Sequence, residues 1–341
     1  MNPRQRNIFI ILSAFLLIGL ALNLALGSVY ISFSDLFPAV FCLGKEDDVF
    51  EKIIWQLRMP RAAAAMLAGA SLSLSGLLMQ TFFRNPIAGP YVLGISSGAG
   101  LGAAVWLMGA GWLLGMGLIG SSDLFNAWGL VTASCIGAGL VLLLLLAVSW
   151  RISDVGTLLI LGMMLGSAVG ALVMLLQFFS GREELQRFVL WSMGDLGGLS
   201  VAELWVLGPL TLIGVTVAML LAQPLNVLLL GEDNARSLGV SVKRLRWQLI
   251  ITTAVLAGSI TAFCGPIAFV GIAVPHAARL LWRTQRHQIL ILGTVLLGMV
   301  VMLYCQLIAI LPFQDKILPI NVVTSLLGAP VVVWIVLSIR K

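Results

Sequence analysis

The sequence predicts an all-α protein that crosses a membrane many times. Of its 341 residues, 60% are hydrophobic and only 10% are charged, and the mean hydropathy is +1.06. A soluble domain of this length needs more polar residues to cover its surface. Apolar windows of about 20 residues, enough to span a bilayer core as a helix, recur along the whole chain. We therefore expect one transmembrane domain over residues 1–341 and no separate soluble domain.

Ten segments are apolar enough to be predicted as membrane-spanning helices. Arg4 and Arg6 precede the first as they would in a signal peptide, but this segment has full spanning length and is interpreted as a retained span. The third and eighth are short or rich in glycine. In chain order, the predicted spans are 8–28, 62–82, 91–111, 125–149, 155–178, 201–221, 247–264, 266–281, 288–310 and 319–338.

The distribution of charge predicts which loops face the cytoplasm. With an inner N-terminus, the inner loops and chain ends hold most of the 20 Lys and Arg residues, whereas the outer loops hold most of the 14 acidic residues. Lysine and arginine accumulate on the cytoplasmic side of membrane proteins. Both termini are therefore expected in the cytoplasm, and the net charge of +6 is interpreted as topology rather than as nucleic-acid binding.

Two outer segments precede predicted spans and carry most of the outer charge. Residues 28–61 end in WQLRMPR, which places Arg58 and Arg61 on either side of Pro60. Two readings of these arginines are open: they face the carboxylates of a docking partner, or they reach the interface while their stems stay in the bilayer. The second segment, 180–203, contains GREELQRFVLWS, which is typical of a short amphipathic helix at the membrane surface.

The third predicted span begins with a stretch that a regular helix does not accommodate. Residues 84–102 read RNPIAGPYVLGISSGAGLG, in which Pro86 and Pro90 lack the backbone N–H that a helix interior needs. Irregular backbone at membrane depth is tolerated where it is buried in protein or lines a cavity. Because broken helices of this kind mark transport pathways, this stretch is a candidate pathway segment.

One polar island, Leu230–Arg246 (LGEDNARSLGVSVKRLR), lies between long apolar segments on the predicted cytoplasmic side. Glu232 suits the first turn of a short helix, since carboxylates stabilise the positive end of the helix dipole, and Gly239 suits its C-terminal end. Ala235 and Leu238 would form a small apolar ridge on this helix. Two readings are open: a surface that another protein grips, or a solvated connecting loop.

No residue pattern in the chain predicts a catalytic site or an energy source. The sequence has no Gly-rich phosphate loop and no nucleophile elbow, and its four cysteines show no paired or metal-ligand spacing. His276 is interpreted as a structural hydrogen-bonding residue rather than a proton relay or metal ligand. The functions still open are a permease driven by a partner, an ion-gradient-driven secondary carrier, which normally keeps acids inside its spans, and a non-transporting scaffold.

Four blocks of the sequence resemble the FecCD-type permease family, the membrane subunits of ABC importers for iron–siderophores, haem and vitamin B12. They are LRMPRAAAAMLAGASLSLSGLLMQTFFRNPIAGPYVLGISSGAG, LGEDNARSLGVSVKRLR, GPIAFVGIAVPHAARL and LPINVVTSLLGAPVVVWIV, and together they extend the match over nearly the whole chain. The resemblance implies ten spans per subunit, a two-fold homodimer of the type II importer class and a place in the bacterial inner membrane.

The resemblance also implies partners. Two cytoplasmic ABC ATPase subunits, which bind ATP and Mg, would hold the coupling helix, and a periplasmic substrate-binding protein would dock outside. The chain itself would contact lipid but bind no cofactor, no metal and no nucleic acid. The implied residues are Arg58 and Arg61 for docking, Gly231, Glu232, Ala235, Arg236, Leu238 and Gly239 for ATPase coupling, and Asn85, Pro86, Ile87, Val155, Gly156 and Thr157 for the gate and pathway.

The chain departs from the family pattern at two places. Val155 and Gly156 occupy a constriction that is often richer in serine and threonine, and Lys316 is the one cation in a loop where some relatives carry a further docking arginine. The expected cargo is a metal chelate, an iron–siderophore or haem. Vitamin B12, a corrinoid, is the alternative, and an ion-gradient-driven carrier is the third possibility.

Overall fold

The computed structural model describes residues 2–27, 29–41, 49–109, 127–149, 154–310 and 317–339, and these residues form helices and no strand. The all-α fold expected from the sequence is therefore confirmed. The helices are α1 (Pro3–Ala25), α2 (Phe33–Val40), α3 (Val49–Ile53), α4 (Met59–Phe82), α5 (Ile95–Met108), α6 (Ala127–Ser149), α7 (Val155–Phe179), α8 (Arg182–Ser192), α9 (Val201–Leu220), α10 (Ala222–Leu228), α11 (Glu232–Ser237), α12 (Val242–Cys264), α13 (Val270–Trp282), α14 (His287–Ile310) and α15 (Ile320–Ile339).

Each of the ten predicted spans coincides with one of these helices. Among the described residues, seven helical segments are long and apolar enough to cross a membrane: α1, the continuous segment Val49–Phe82 that includes α4, and α6, α7, α9, α12 and α14. The other three predicted spans are α5, α13 and α15, of 14, 13 and 20 residues. Helices α5 and α13 are thus shorter than the about 20 residues that a bilayer core requires.

Two helices start later than predicted, after residues whose backbone φ is positive. The third predicted span opens with a 3-10 turn at Pro90–Leu93, which ends at Gly94 with φ +71°, and α5 follows. The eighth was expected from residue 266, but α13 starts only at Val270, because Gly265 and Phe269 have φ of +73° and +67°. A residue with positive φ interrupts a right-handed helix.

Helix α4 is the centre of the fold. It belongs to the continuous helical segment Val49–Phe82, in which 83% of the residues in an apolar stretch of spanning length are buried. Its sequence MPRAAAAMLAGASLSLSGLLMQTF is rich in small residues, which let neighbouring membrane helices approach closely. A methyl group added at Gly69 would lie 2.1 Å from the carbonyl oxygen of Gly298 on α14. On the same helix, a methyl group at Gly76 would lie 1.7 Å from the carbonyl oxygen of Gly271 on α13. The two glycines therefore set the spacing of α4 from α14 and α13.

Helix α7 lies at the periphery: only 17% of the residues in its apolar stretch of spanning length are buried. Its exposed side chains are large and apolar, as are several on α15. Helix α8 confirms the predicted amphipathic helix: it buries Phe188 and exposes Glu183 and Arg187, which form an ion pair of 3.9 Å. The polar island contains α11 and the first residues of α12, and α10 lies directly before it.

Candidate functional site

The predicted coupling helix is present as α11, Glu232–Ser237, and is closed at both ends by glycine. Gly231, with φ +113°, precedes it, and Gly239, with φ +84°, follows it. The N–H of Gly239 donates to the carbonyl of Arg236 over 3.0 Å, and the N–H of Val240 donates to the carbonyl of Ala235 over 2.9 Å. These two bonds are a Schellman motif, which requires a left-handed residue at Gly239.

Glu232 anchors α11 to the body of the protein. Its carboxylate lies 3.4 Å from Nη2 of Arg236 one turn along and 4.0 Å from Nη2 of Arg246 on α12. The Arg246 side chain is only 7% exposed and its guanidinium lies 5.8 Å from the centre of the Phe82 ring, at the end of α4. An ion pair and a cation–π contact thus connect the coupling helix with the central helix.

The prediction that Ala235 and Leu238 form an apolar ridge on the surface of α11 is wrong. Ala235 is fully buried, because the short helix packs this face against its own subunit, whereas Leu238 is 63% exposed. The outward surface therefore consists of Leu238 with the exposed side chains of Asp233, Arg236 and Leu230. This surface combines two exposed leucine side chains with charged ones.

The predicted gate segment leaves the end of α4 in an irregular conformation. Arg84 has φ +49°, and the N–H of Asn85 donates to the carbonyl of Gln80 over 3.2 Å. The side-chain oxygen of Asn85 accepts the N–H of Ile87 over 3.1 Å, which stabilises the turn around Pro86. Ile87 itself is 42% exposed, so the turn presents an apolar side chain at its tip.

The second predicted constriction is the start of α7, where the side chain of Val155 lies outside the described residues. Asp154 caps the helix: its Oδ2 accepts both the backbone N–H and the hydroxyl of Thr157, each over 2.6 Å. These hydrogen bonds lower the pKa of Asp154, and the positive charge of Arg246 lowers it further. The sequence analysis named Gly156 and Thr157 for this constriction but gave Asp154 no capping role, although an Asp directly before an apolar helical segment is an N-cap signal.

The two gate segments are joined through the broken third span. Gly94, which ends the 3-10 turn after the gate segment, packs against α7, and a methyl group there would lie 3.1 Å from the Gly162 carbonyl oxygen and the Gly166 nitrogen. A movement of α7 would therefore press on Gly94, which lies eight residues after Pro86.

The two predicted docking arginines, on the side expected to face the periplasm, differ in environment. Arg58 ends a π-helical turn, and its guanidinium donates to the carbonyl of Leu24, over 2.6 Å, and to that of Val29. Arg58 thus holds the end of α1 and the loop after it. Arg61 lines an outer cavity of about 600 Å³ and packs against Gly197. Acidic and aromatic side chains also line this cavity, among them Asp195, Glu203, Trp191 and Phe263. Lys316 lies outside the described residues.

Buried polar side chains at the inner end of the protein were missed by sequence reasoning. His287, only 1% exposed, contacts Thr81 and Asn226, and Gln80 accepts a hydrogen bond from Arg279. The sequence drew attention to His276 instead. That ring meets Trp334 edge-on at 6.2 Å between centroids, and within the described residues it shows this aromatic contact rather than the expected hydrogen bond.

Comparisons with known proteins agree with this architecture. A family model described as the FecCD transport family matches residues 15–338. The vitamin B12 import system permease protein BtuC of Salmonella typhi is 36% identical over 342 residues, which cover 99% of this chain and 97% of that protein. BtuC of Shigella boydii is 36% identical over 333 residues, which cover 97% and 94%.

A solved structure, described as an inward-facing conformation of a metal-chelate type ABC transporter, superposes with a TM-score of 0.84 at 30% identity and covers 98% of this chain and 99% of that one. The likeness extends over all the helices that carry the coupling and gate segments. A multi-span apolar chain with these relatives fits a bacterial inner membrane. The chain belongs to the FecCD transport family and is an ABC importer permease, a transport subunit without a catalytic role of its own.

Proposed function

We propose that the chain is the membrane subunit that moves a corrinoid from the periplasm to the cytoplasm, driven by ATP hydrolysis on a separate ATPase. A corrinoid, the alternative cargo, now replaces the iron chelate as the leading expectation. The reason is that relatives named as vitamin B12 permeases match 99% of the chain at 36% identity. An iron–siderophore or haem is the competing cargo, which the metal-chelate description of the structural neighbour supports.

The observation that carries the proposal is the connection between the coupling helix and the gate. Glu232 on α11 faces Arg246, and Arg246 in turn contacts Phe82, two residues before the irregular turn at Arg84. An ATPase that grips the exposed Leu238 surface moves a helix that is already bonded to the gate. This is the arrangement expected of a passive permease whose access switches with a partner's state.

The second copy of the chain is proposed to pack against the exposed faces of α7 and α15. Both helices present large apolar side chains, including Met164, Met174 and Leu326, at 63%, 69% and 71% exposure. A two-fold axis beside these faces would place the gate segments of two subunits opposite each other and create a pathway between them. Both chain termini would then lie in the cytoplasm, as the charge distribution predicts.

On the outer face, the substrate-binding protein is proposed to dock through Arg61, with Arg58 shaping the surface. Arg58 is committed to carbonyl groups of its own chain, so its loss disturbs the loop first. Arg61, at the outer cavity, is the better placed to meet a partner's carboxylate. Replacing Arg61 by Glu should therefore reduce docking at low salt more than at high salt, since such steering is screened.

Reconstitution tests the proposal directly. The chain, its ATPase and its binding protein are placed in proteoliposomes, and uptake of labelled cyanocobalamin, ferric siderophore and haem is measured with ATP and with a non-hydrolysable analogue. ATP-dependent uptake of cyanocobalamin alone supports the proposal. Uptake of an iron chelate alone overturns the cargo, and accumulation by the chain without an ATPase overturns the mechanism in favour of a secondary carrier.

A further inference from the structure

The inner end of the protein contains a chain of hydrogen bonds that crosses three helices. Asn226 on α10 accepts, through its side-chain oxygen, the backbone N–H of His287 over 2.8 Å and contacts Nδ1 of the same residue over 2.9 Å. Nε2 of His287 lies 2.9 Å from the hydroxyl of Thr81 on α4. Helices α10, α14 and α4 each contribute one residue. A displacement of any of these helices therefore stretches a hydrogen bond to one of the other two.

The backbone N–H of His287 determines which atoms donate and which accept in this series of hydrogen bonds. A backbone N–H only donates, so the atom of Asn226 that faces it is the amide oxygen. The same oxygen faces Nδ1, which must then carry a hydrogen and donate. In the neutral ring, Nε2 is left as an acceptor, and the Thr81 hydroxyl shares its one hydrogen between this nitrogen and the carbonyl oxygen of Leu77, 3.0 Å away on its own helix. The Asn226 amide nitrogen donates to Gln288 over 3.0 Å, so every polar atom of this amide has a partner.

A second connection runs beside the first and ends at the gate. The carbonyl oxygen of Leu228, the last residue of α10, accepts the N–H of Gly231 over 3.1 Å and a guanidinium N–H of Arg84 over 3.4 Å. Gly231 is the residue that opens the coupling helix, and Arg84 is the first residue of the gate segment. One carbonyl group therefore bonds both to the start of α11 and to the gate.

Helix α10 is thus placed between the coupling helix and the gate, and its two polar contacts point toward the end of α4. We propose that α10 transmits the movement of the coupling helix to the gate, and that Thr81, His287 and Asn226 are positioning residues for this step. The inference rests on the proposed function, because it assumes that an ATPase moves α11. It adds the elements through which that movement travels.

The hydrogen-bonded set of Thr81, His287 and Asn226, called the relay below, is largely buried. Thr81 and His287 are 3% and 1% exposed, so water does not replace a hydrogen bond that is broken between them. If this contact breaks, the Thr81 hydroxyl keeps the Leu77 carbonyl as its acceptor, but Nε2 of His287 is left unsatisfied in a buried site. Such a group is costly, so the three helices favour moving together over separating. Arg279 reinforces the same region, because it donates to Gln80 while Gln80 donates to the carbonyl of Ile272 over 3.1 Å.

The test replaces Thr81 by valine, which keeps the volume and removes the hydroxyl. The matched control is Thr252→Val on α12, where the buried hydroxyl donates to Gln248 on its own helix over 2.7 Å. The complete complex in proteoliposomes is assayed for ATP hydrolysed per labelled cyanocobalamin transported. We expect this ratio to rise about three- to tenfold in Thr81→Val, the equivalent of one net hydrogen bond, and to stay unchanged in Thr252→Val. Thr81→Ser should restore the wild-type ratio.

A second measurement does not depend on the cargo. Spin labels at Ile87 in both copies report the gate opening when ATP binds, and the ATP-dependent shift should shrink in Thr81→Val and in Asn226→Ala. Should Thr81→Val fail to assemble, Asn226→Ala at the half-exposed end of the relay decides the matter. A wild-type ratio and gate shift in the valine and alanine variants would overturn the relay. Absence of transport by the wild-type complex would instead contradict the proposed function, so the two failures are distinguishable.

Discussion

Replacing Arg246 by methionine tests whether the coupling helix is held by charge. Methionine keeps much of the buried stem volume but removes the cation that faces Glu232 and the Phe82 ring. Because Arg246 forms an ion pair from α12 to α11, its loss should let α11 open locally while the rest of the fold stays intact. The quantity that changes is the free energy of opening of α11, not of the whole protein.

The magnitude follows from the geometry. A pair of unit charges at about 4 Å interacts by about 4 kcal/mol at an effective dielectric constant of about 20. Glu232 keeps Arg236 at 3.4 Å, and its own side chain is 27% exposed, so water and the second cation recover most of this energy. The value then falls between a surface pair and a buried one, at about 1–2 kcal/mol. Such a loss raises the open population of α11 by about 5- to 30-fold.

Hydrogen exchange read by mass spectrometry measures this population directly. The amides of Ala235, Leu238 and Val240 are hydrogen-bonded within the α11 unit, so a peptide covering 230–241 reports its opening. We expect this peptide to exchange about 5- to 30-fold faster in Arg246→Met, by the opening free energy above. Arg244→Met is the matched control, because it removes the same charge from an exposed position two residues earlier. Equal exchange in Arg246→Met and wild type, or equal acceleration in both variants, would refute the reasoning.

Three further predictions concern the partner surface, the core and the cap. Leu238→Ser should weaken ATPase binding in a pull-down or titration without lowering the melting temperature, since Leu238 is 63% exposed; an unchanged affinity would contradict its role. Gly69→Ala should destabilise the protein by about 1–3 kcal/mol or more, because its methyl would meet the Gly298 carbonyl at 2.1 Å, whereas Gly139→Ala, with nothing within 4 Å, should be neutral or stabilising in thermal melts. The pKa of Asp154 is lowered in the folded protein, so the stability that its cap contributes is present above its ordinary value of 3.8 and is lost as pH falls through the folded value. The melting temperatures of wild type and Asp154→Ala should therefore differ at neutral pH and converge in acid, and a constant difference would argue against the cap.

Hydropathy predicts most spans well because a helix that crosses the bilayer core needs about 20 apolar residues. Each predicted apolar segment is helical, from α1 to α15, since a backbone in hydrocarbon must satisfy its own hydrogen bonds. The ends were less predictable. Gly94 interrupts the third predicted span and Gly265 directly precedes the eighth. Only the backbone angles of these glycines, which pack against α7 and against Trp191, show where the helix can begin.

The coupling segment was predictable because its signals are local. Gly231 and Gly239 are stop signals in the sequence, and both have the positive φ that such positions require. Which face of α11 points outward was not predictable, because Ala235 and Leu238 are both apolar and lie three residues apart on a helix of six. Burial of the one and exposure of the other depend on α10 and α12, which pack against α11 from distant parts of the chain.

The relay was beyond sequence reasoning for the same reason. Thr81, Asn226 and His287 are separated by 145 and 61 residues, and each alone is an ordinary polar residue near a span end. Their meeting depends on the close packing of α4 against α14, which the Gly69–Gly298 approach permits. If that approach is opened by a methyl group, Thr81 is carried away from His287 together with the end of α4. The small residues of the central helix therefore do more than fill the core, because they bring a hydroxyl within 2.9 Å of a histidine on the neighbouring helix.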